Sequence, residues 1–301
     1  MLSNALRRLP TRGVVATERE FGSAPTQEGP RGEAGMNSDA NPLRYLLRQL
    51  ELYCDLPQAD EELILALPHR LRRLDAGSYL VREGDRPQQA CVLVSGYAYR
   101  QKVTGDGSRQ ILAVCIPGDA VDLQNMFLDV SDHAVHMLNQ GQVADVPREA
   151  LQDLVLNRPA IGTAIIQLTL VEASILREWV VNVGRRDARA RIAHLLCEFA
   201  VRLEARGLTT DNGFELPMTQ EQLADATGLT SVHVNRVLKG LEADGLIARQ
   251  RRFIHFDNWR ALQDAGDFSR RYLHISDQDT QAQTYWGKRL ISVKDECLNQ
   301  A

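Results

Sequence analysis

A short run of polar and cationic side chains near residue 235 has the residue types that recognise nucleic-acid bases. The run contains His233, Asn235 and Arg236, and Val232 lies beside them. In the major groove of B-DNA, Arg pairs well with guanine, Asn pairs with adenine, and apolar side chains contact the thymine methyl group. On one exposed helix face, these residues would form a surface that reads base edges in duplex DNA.

The segment Met218–Gly245 carries the signals for two short helices that would present this surface. Thr219 and Gln222 make a capping box, in which each side chain satisfies a free backbone N–H group of the other. A helix is therefore predicted to start at Gln220. Gly228 then supplies the positive φ that commonly ends a helix.

A second helix is predicted from about Ser231 to about Ala243, with Thr230 as its N-cap. Apolar residues recur within it every three or four positions and mark the packed face: Val234, Val237, Leu238 and Leu241. The spacing is that of a helix-turn-helix. The alternative is a capped helical hairpin with a solvated basic face.

After Gly245 the sequence LIARQRRFIHF predicts two short strands with arginines at their bend. A cationic hairpin beside a recognition helix is placed to contact DNA phosphates, forming a wing. The candidate DNA contacts are Thr219, Thr230, Ser231, Val232, His233, Asn235, Arg236, Lys239, Arg249, Arg251 and Arg252.

Size and composition indicate an ordinary soluble protein of about two domains. The chain has 301 residues, of which 44% are hydrophobic and 25% charged, and its net charge is −4. An acidic molecule repels DNA as a whole, so any DNA affinity must come from a local cationic face. No run of eighteen apolar residues occurs, so no membrane span is expected.

The sequence carries no signal for a catalytic or metal centre. Its five cysteines include no CxxC pair and no close Cys/His spacing, which predicts no metal, no cofactor and incidental thiols in a reducing compartment. It also lacks a nucleophile elbow, a P-loop and a dinucleotide fingerprint. An enzyme with a β-barrel active site therefore remains only an alternative without a supporting motif.

Five regions are predicted along the chain. Residues 1–41 form a disordered extension, and translation starting at Met36 is an open alternative. Residues 42–157 begin with two short helices and continue as short strands with turns about every ten residues, which favours an antiparallel barrel or double sheet. Residues 158–184 form a long helix, 185–273 the winged helix-turn-helix, and 274–301 a tail without an assigned role.

The long helix has two apolar stripes, which imply two partners. One has the heptad a/d rhythm of a coiled-coil seam and predicts a parallel homodimer with an acidic residue in the seam: Ile161, Ile165, Leu168, Glu172, Ile175 and Trp179. The other is expected to pack on the barrel: Ile166, Ala173, Leu176, Val180 and Val183. The alternative is a single-sided core helix with a solvated Glu172. A break near Gly184 predicts a hinge to the next helix.

The order of these elements resembles the cyclic-AMP receptor protein and Fnr family of bacterial transcription regulators. The motifs that carry the resemblance are Glu83-Gly84-Asp85, Val92-Leu93-Val94-Ser95-Gly96, Pro117-Gly118-Asp119, the long helix and TQEQLADATGLTSVHVNRVLKGLEADGLI. It implies an α+β fold: an N-terminal cyclic-nucleotide-binding-like β-roll (double-stranded β-helix), a long dimerisation helix and a C-terminal winged helix-turn-helix.

The resemblance also implies a function. Members of this family are cytoplasmic homodimers that bind a palindromic operator and contact RNA polymerase, with half-sites about one helical turn apart. The alternative is a cyclic-nucleotide-binding-like module that acts through a protein partner.

The sequence departs from the family at the nucleotide site. Cyclic-nucleotide binders have a Gly-Glu pair followed by Arg-Ser or Arg-Thr. The corresponding places hold Asp122-Leu123 and His133-Ala134, which are therefore the candidate effector pocket. A phosphate beside Asp122 without an arginine would bury an uncompensated charge, so cyclic AMP is not expected to be the effector, which stays unknown. The N-terminal cysteine cluster of the oxygen-sensing branch is also absent.

The recognition helix departs from the family as well. Val232 occupies the place of a glutamate that reads cytosine in family members, while Arg236 keeps the family arginine. Since Val cannot accept a hydrogen bond from the cytosine amino group, a different half-site is predicted. In it Arg236 contacts guanine, Asn235 or His233 an adjacent base, and Val232 a thymine methyl group.

Overall fold

The computed structural model describes residues 41–209 and 212–275. The predicted disordered extension before residue 41, with Met36, lies outside the described residues, as do residues 276–301 of the tail. The described chain has the predicted α+β architecture: a β-roll, one long helix and a C-terminal helix-turn-helix with a small sheet.

Two short helices precede the β-roll, as the leucine spacing predicts. They are α1 (Arg44–Glu51) and α2 (Gln58–Leu65). Leu46, Leu50 and Ile64 are almost fully buried and pack in one core with the strands that follow. The helices thus close one side of the β-roll.

The β-roll consists of two antiparallel sheets of four strands each. The eight strands are β1 (Arg70–Leu74), β2 (Tyr79–Val81), β3 (Gln89–Ser95), β4 (Ala98–Val103), β5 (Arg109–Cys115), β6 (Ala120–Val121), β7 (Ala134–Met137) and β8 (Gly141–Pro147). The sheet orders are β1-β8-β3-β6 and β2-β7-β4-β5. The β3–β4 turn requires glycine, because Gly96 has φ +77° and a Cβ there would lie 2.8 Å from the Gln140 carbonyl oxygen.

Two helices follow the β-roll, α3 (Arg148–Asn157) and α4 (Pro159–Arg185). With 27 residues, α4 is long and apolar enough to cross a membrane by length and composition alone. In this structure, one side of α4 instead packs against the β-roll and helix α1.

The predicted assignment of the two α4 stripes is wrong. The stripe predicted to form the dimer seam packs inside the chain. Ile161, Ile165 and Leu168 are buried in the core that includes α1, whereas Trp179 is buried in a second core, against which Ile175 packs. Glu172 lies on this inner side too, where it pairs with Arg100 of β4. The β-roll thus supplies a cationic partner for the acidic residue of this stripe, and the other stripe faces outward.

The outward face of α4 carries large exposed apolar side chains. The exposed fractions of Ile166, Leu170 and Val180 are 62%, 61% and 69%, and Leu176 and Val181 are also exposed. Three of these residues belong to the stripe that was expected to pack on the barrel. In a single chain this face therefore has no partner among the described residues.

The C-terminal part begins after a break in the helix. Asp187 caps the new helix by accepting a 2.8 Å hydrogen bond from the backbone N–H of Ala190. The elements are α5 (Ala188–Glu204), β9 (Gly213–Glu215), α6 (Gln220–Thr227), α7 (Ser231–Ala243), β10 (Ile247–Gln250), β11 (Phe253–Phe256) and α8 (Trp259–Ala265), followed by a 3-10 turn (Arg270–Leu273). The strands form a sheet in the order β10-β11-β9.

The largest apolar core runs from the β-roll into the C-terminal part. Ile111 and Val114 of β5 belong to the same cluster as Leu196 and Phe199 of α5 and Leu223 of α6. The apolar stripe predicted for α5 is buried here. The β-roll and the helix-turn-helix therefore pack on each other within one chain.

Candidate DNA-binding surface and sensor core

The helix-turn-helix is built by the local signals that the sequence contains. The backbone N–H of Gln222 donates to Thr219 Oγ1 at 3.2 Å, and the Thr219 N–H donates to Gln222 Oε1 at 2.8 Å, which completes the predicted capping box. Helix α6 ends at Gly228, with φ +65°. Thr230 then caps α7 by accepting a hydrogen bond from the His233 N–H.

Helix α7 buries one face and leaves the other open to solvent. Val234, Leu238 and Leu241 are buried in the domain core. On the opposite side, 78% of Val232 is exposed. Ser231, Arg236 and Lys239 are exposed beside it, whereas His233 and Asn235 are half-buried. The predicted base-reading residues therefore lie on the free side of the helix or at its edge.

A contact from the first helix reaches one of these residues. Gln220 at the start of α6 donates from Nε2 to Asn235 Oδ1 at 3.5 Å, a long hydrogen bond. It links the beginning of α6 to the middle of α7. Together with the shared core, it fixes how α7 is presented.

The predicted wing is present, but only part of it is free. Strands β10 and β11 pair antiparallel, and Arg251 and Arg252 are exposed at the turn between them. Arg249 is half-buried and forms an ion pair with Glu242 of α7. Arg249 was predicted to contact DNA. This ion pair ties the wing to the recognition helix, and a DNA contact by Arg249 stays a prediction.

We use the term recognition surface for Ser231, Val232, Arg236 and Lys239 together with Arg251 and Arg252 of the wing. The four cationic side chains of this surface make no ion pair within residues 41–209 and 212–275. The surface is rich in hydrogen-bond donors and includes one apolar side chain. It can therefore contact phosphates and base edges at once.

The predicted effector pocket is closed by its own side chains. Asp122 and His133 are brought together, with His133 Nε2 2.8 Å from Asp122 Oδ1 and His133 Nδ1 2.7 Å from Asp132 Oδ1. Burial alone would lower the pKa of His133, but its hydrogen bond with Asp122 and the Asp122 charge outweigh this effect and raise the pKa. Leu123 and Ala134 are buried in the β-roll.

Arg100 is the functional candidate that sequence reasoning missed. Its Nη2 donates to Glu172 Oε1 at 3.0 Å, and its Nε lies 3.6 Å from Asp122 Oδ1. The sequence argument expected Asp122 to have no arginine partner, and that expectation is wrong. Burial would lower the pKa of Arg100, but the carboxylates around it, above all Glu172, outweigh burial and raise it, so the guanidinium stays charged.

A partly open cleft lies beside Arg100, where the β-roll, α4 and α5 meet. Its polar lining carries both signs of charge and includes Gln49, Tyr53, Asp119, Glu172, Arg202 and Arg206. The residues predicted for the effector pocket, Asp122, Leu123, His133 and Ala134, are not part of this lining. The open space in the sensor thus differs from the place that the sequence indicated.

Ion pairs join the β-roll to the helices of the C-terminal part. Arg202 and Arg206 of α5 donate to the Asp119 carboxylate at 3.0 and 2.7 Å. Burial would raise the pKa of Asp119, but the charges of Arg206 and Arg202 outweigh it and lower the pKa. Arg109 of β5 donates from Nε to Asp225 of α6 at 2.6 Å. We call these five residues the interdomain clamp.

The cysteines of the described part are not reactive centres. Cys91, Cys115 and Cys197 are buried, and Cys54 is half-buried. Burial raises the pKa of the Cys115 thiol to about 12, so this group stays protonated at neutral pH. Cys297 lies outside the described residues.

A buried polar cluster joins α4 to α5. Trp179 donates from Nε1 to both carboxylate oxygens of Glu198 at 3.1 and 3.0 Å, and the Tyr272 hydroxyl donates to Glu198 Oε2 at 2.8 Å. His194 Nε2 lies 3.0 Å from the Tyr272 hydroxyl, and its Nδ1 lies 3.1 Å from the Gly266 carbonyl oxygen. The cluster fixes the start of the C-terminal part against α4.

This cluster predicts a loss of stability in acid. Burial, and next the charge of Arg186, lower the pKa of His194 to about 4, below the value of about 6.5 for an unfolded chain. The unfolded state therefore binds a proton first as the pH falls, and the folded state loses roughly 2 kcal/mol between about pH 7 and about pH 5. Urea unfolding at both pH values measures this loss. His194→Gln, which cannot titrate, should show a smaller pH dependence, and an equal pH dependence in both proteins contradicts the assignment.

Two family models match the two halves of the chain. Residues 71–158 match the family model of the cyclic nucleotide-binding domain, and residues 190–265 match the Crp-like helix-turn-helix domain. The transcriptional activator protein FnrL of Cereibacter sphaeroides is 32% identical over 206 residues, which cover 66% of this chain and 81% of FnrL. The transcriptional activator protein Anr of Pseudomonas protegens is 25% identical over 209 residues, which cover 69% of this chain and 85% of Anr.

Solved structures share the fold. FixK2 from Bradyrhizobium japonicum superposes with a TM-score of 0.61 at 22% identity, covering 67% of this chain and all of that one. A c-di-GMP-responsive global regulator, CLP, from Xanthomonas campestris gives a TM-score of 0.51 at 20% identity, covering 67% of this chain and all of that one. At these identities the likeness shows the fold alone.

Proposed function

The chain belongs to the Crp/Fnr family of transcription regulators, and we propose that it binds a palindromic operator as a homodimer in the cytoplasm and acts on RNA polymerase. The DNA-binding part of this proposal is carried by the recognition surface on α7 and the wing. RNA polymerase as a partner is supported by the relatives, which are named transcriptional activators rather than enzymes.

The exposed face of α4 supports the homodimer. Ile166, Leu170, Ala173 and Val180 follow one another at steps of four, three and seven residues, which is a heptad rhythm. A long stripe of exposed apolar side chains marks a protein–protein contact. A second copy of α4 carries the same stripe, so the two helices can bury each other in a parallel pair. That pair would present two recognition surfaces related by a two-fold axis.

We propose a half-site that differs from that of family members with a glutamate at the position of Val232. Arg236 is exposed and would contact guanine, while Val232 would contact a thymine methyl group. Asn235 or His233 would contact an adjacent base from the edge of the surface. Thr219, Thr230 and Lys239 are exposed around them and would contact phosphates or flanking bases.

A salt titration tests whether this surface binds DNA. The purified protein is added to labelled duplex at rising salt, and binding is followed by fluorescence anisotropy. Because the surface is cationic, the logarithm of the binding constant should fall linearly with the logarithm of the salt concentration, by about 0.9 for each neutralised phosphate. The variant Arg251→Ala/Arg252→Ala should show a shallower slope. Binding that ignores salt, or no binding to any duplex, contradicts the proposed function.

A further inference from the structure

Four ionisable side chains form a continuous chain from the sensor core to the long helix. Glu172 of α4 contacts Arg100 of β4 at 3.0 Å, Arg100 lies 3.6 Å from Asp122, and Asp122 lies 2.8 Å from His133. The exposed fraction of the Arg100 side chain is only 12%, and those of Asp122 and His133 are 3% and 8%. We call these four residues the charge chain.

We propose that the charge chain replaces a small-molecule effector, with the Arg100 guanidinium as a built-in ligand that ties the β-roll to α4. The protein then binds its operator without any bound small molecule. This inference rests on the proposed function, since it concerns which contacts stabilise the DNA-binding conformation of the homodimer.

The first argument is the position of Arg100. A ligand that couples the sensor to the long helix must contact both of them, because only a difference in contacts can shift a conformational equilibrium. Arg100 lies beside both from within the chain: it donates a hydrogen bond to Glu172 of α4, and its Nε lies 3.6 Å from Asp122 of the β-roll without a hydrogen bond. Residues 71–158, which match the cyclic nucleotide-binding domain, include Arg100, Asp122 and His133.

The second argument is charge. Arg100 faces the carboxylates of Asp122 and Glu172. His133 also faces a third carboxylate, that of Asp132. Arg100 and His133 already face carboxylates, so an anionic effector such as a cyclic phosphate would find no unpaired cation in the charge chain. An entering phosphate would have to separate buried ion pairs, and breaking such a pair leaves an uncompensated charge that costs several kcal/mol.

The third argument is that the chain's own side chains already join the β-roll to the C-terminal part through the interdomain clamp. Arg202 and Arg206 hold α5 on Asp119 of the β-roll, and Arg109 holds α6 on β5. Gln49 of α1 donates to Asp119 as well, which fixes that carboxylate from a second side. The recognition surface stays exposed in this arrangement. The chain can therefore hold the helix-turn-helix in one orientation with its own side chains.

Operator binding by ligand-free protein tests the inference. The full-length dimer is dialysed exhaustively, native mass spectrometry verifies that no small molecule is bound, and operator affinity is measured with and without cyclic AMP. We expect tight binding that cyclic AMP does not change. Arg100→Ala should lose affinity by about tenfold or more, while Arg100→Lys, which keeps the charge, should lose less. Lys102→Ala is the matched control, because Lys102 lies on the same strand in an exposed ion pair with Glu83. It should bind like the wild type.

Two further measurements separate a positioning role from a loss of folding. Millimolar guanidinium should restore operator binding to Arg100→Ala if the missing group is the cation itself, and it should leave Lys102→Ala unchanged. Glu172→Gln, which keeps the shape of the side chain and removes its charge, should also weaken operator binding while the dimer persists.

The outcomes distinguish this inference from the proposed function. If the ligand-free protein binds no operator but gains binding when a cyclic nucleotide or a small-molecule extract is added, the inference is overturned and the proposed function stands. Wild-type affinity in Arg100→Ala also overturns it. If no duplex is bound under either condition, the proposed function itself fails.

Discussion

Replacing Arg236 with alanine is expected to weaken operator binding by about 1–3 kcal/mol, which is roughly five- to 150-fold. Arg236 is exposed on the free face of α7 and has no ion-pair partner in the described part of the chain. Its guanidinium can therefore donate two parallel hydrogen bonds to O6 and N7 of guanine, and alanine can donate none. The loss should be specific for one base position, so the variant should tolerate any base pair there.

Competition binding on duplexes that differ at a single base pair measures both effects. Arg86→Ala is a suitable control, because Arg86 is an exposed arginine of the β-roll outside the recognition surface. It should bind like the wild type. If Arg236→Ala keeps both its affinity and its base preference, Arg236 does not contact the bases and the prediction is wrong.

Replacing Val180 with glutamate is expected to dissociate the homodimer and abolish tight operator binding. Val180 is the most exposed large apolar residue of α4, and a carboxylate at this place would face its own copy across a buried seam. A single subunit reaches only one half-site, so it loses the gain from divalent binding, which is about 10²- to 10⁴-fold. Sedimentation velocity should show a single subunit with intact helical content.

Leu156→Glu is the matched control for this prediction. Leu156 lies on α3 and is 67% exposed, similar to Val180, but it is not on the outward face of α4. It should leave both the dimer and operator binding intact. A Val180→Glu protein that remains a dimer would show that the subunits associate through another surface.

Local signals explain why the helix-turn-helix could be predicted from the sequence. Capping at Thr219 and Thr230 and the positive φ at Gly228 depend on residues that are close in the chain. The core face of α7 follows from helical periodicity alone. Such features need no knowledge of distant partners, so their bounds in the structure agree with the predicted ones.

Distant partners explain why the predictions for α4 and the sensor core were wrong in part. Both apolar stripes of α4 have helical spacing, so spacing alone does not show which one faces the β-roll. In the structure the inner stripe is the one that contains Glu172, which pairs with Arg100, 72 residues away. Arg100 itself lies in β4, whose burial does not alternate, so the strand period does not predict which way its side chain faces. Its inward direction depends on the carboxylates that the folded chain brings around it. The ion pair of Arg249 was not predicted for the same reason, since its partner Glu242 lies on another element.

Selection of binding sites from randomised duplex DNA tests the central claim most directly. The full-length protein is used without added ligand, and the enriched sequences are read. The account predicts a two-fold symmetric motif with half-sites about one helical turn, or about 10 base pairs, apart, and a guanine at the position that loses its preference in Arg236→Ala. No enrichment of any sequence, or a single asymmetric site that is the same for wild type and Arg236→Ala, would contradict it.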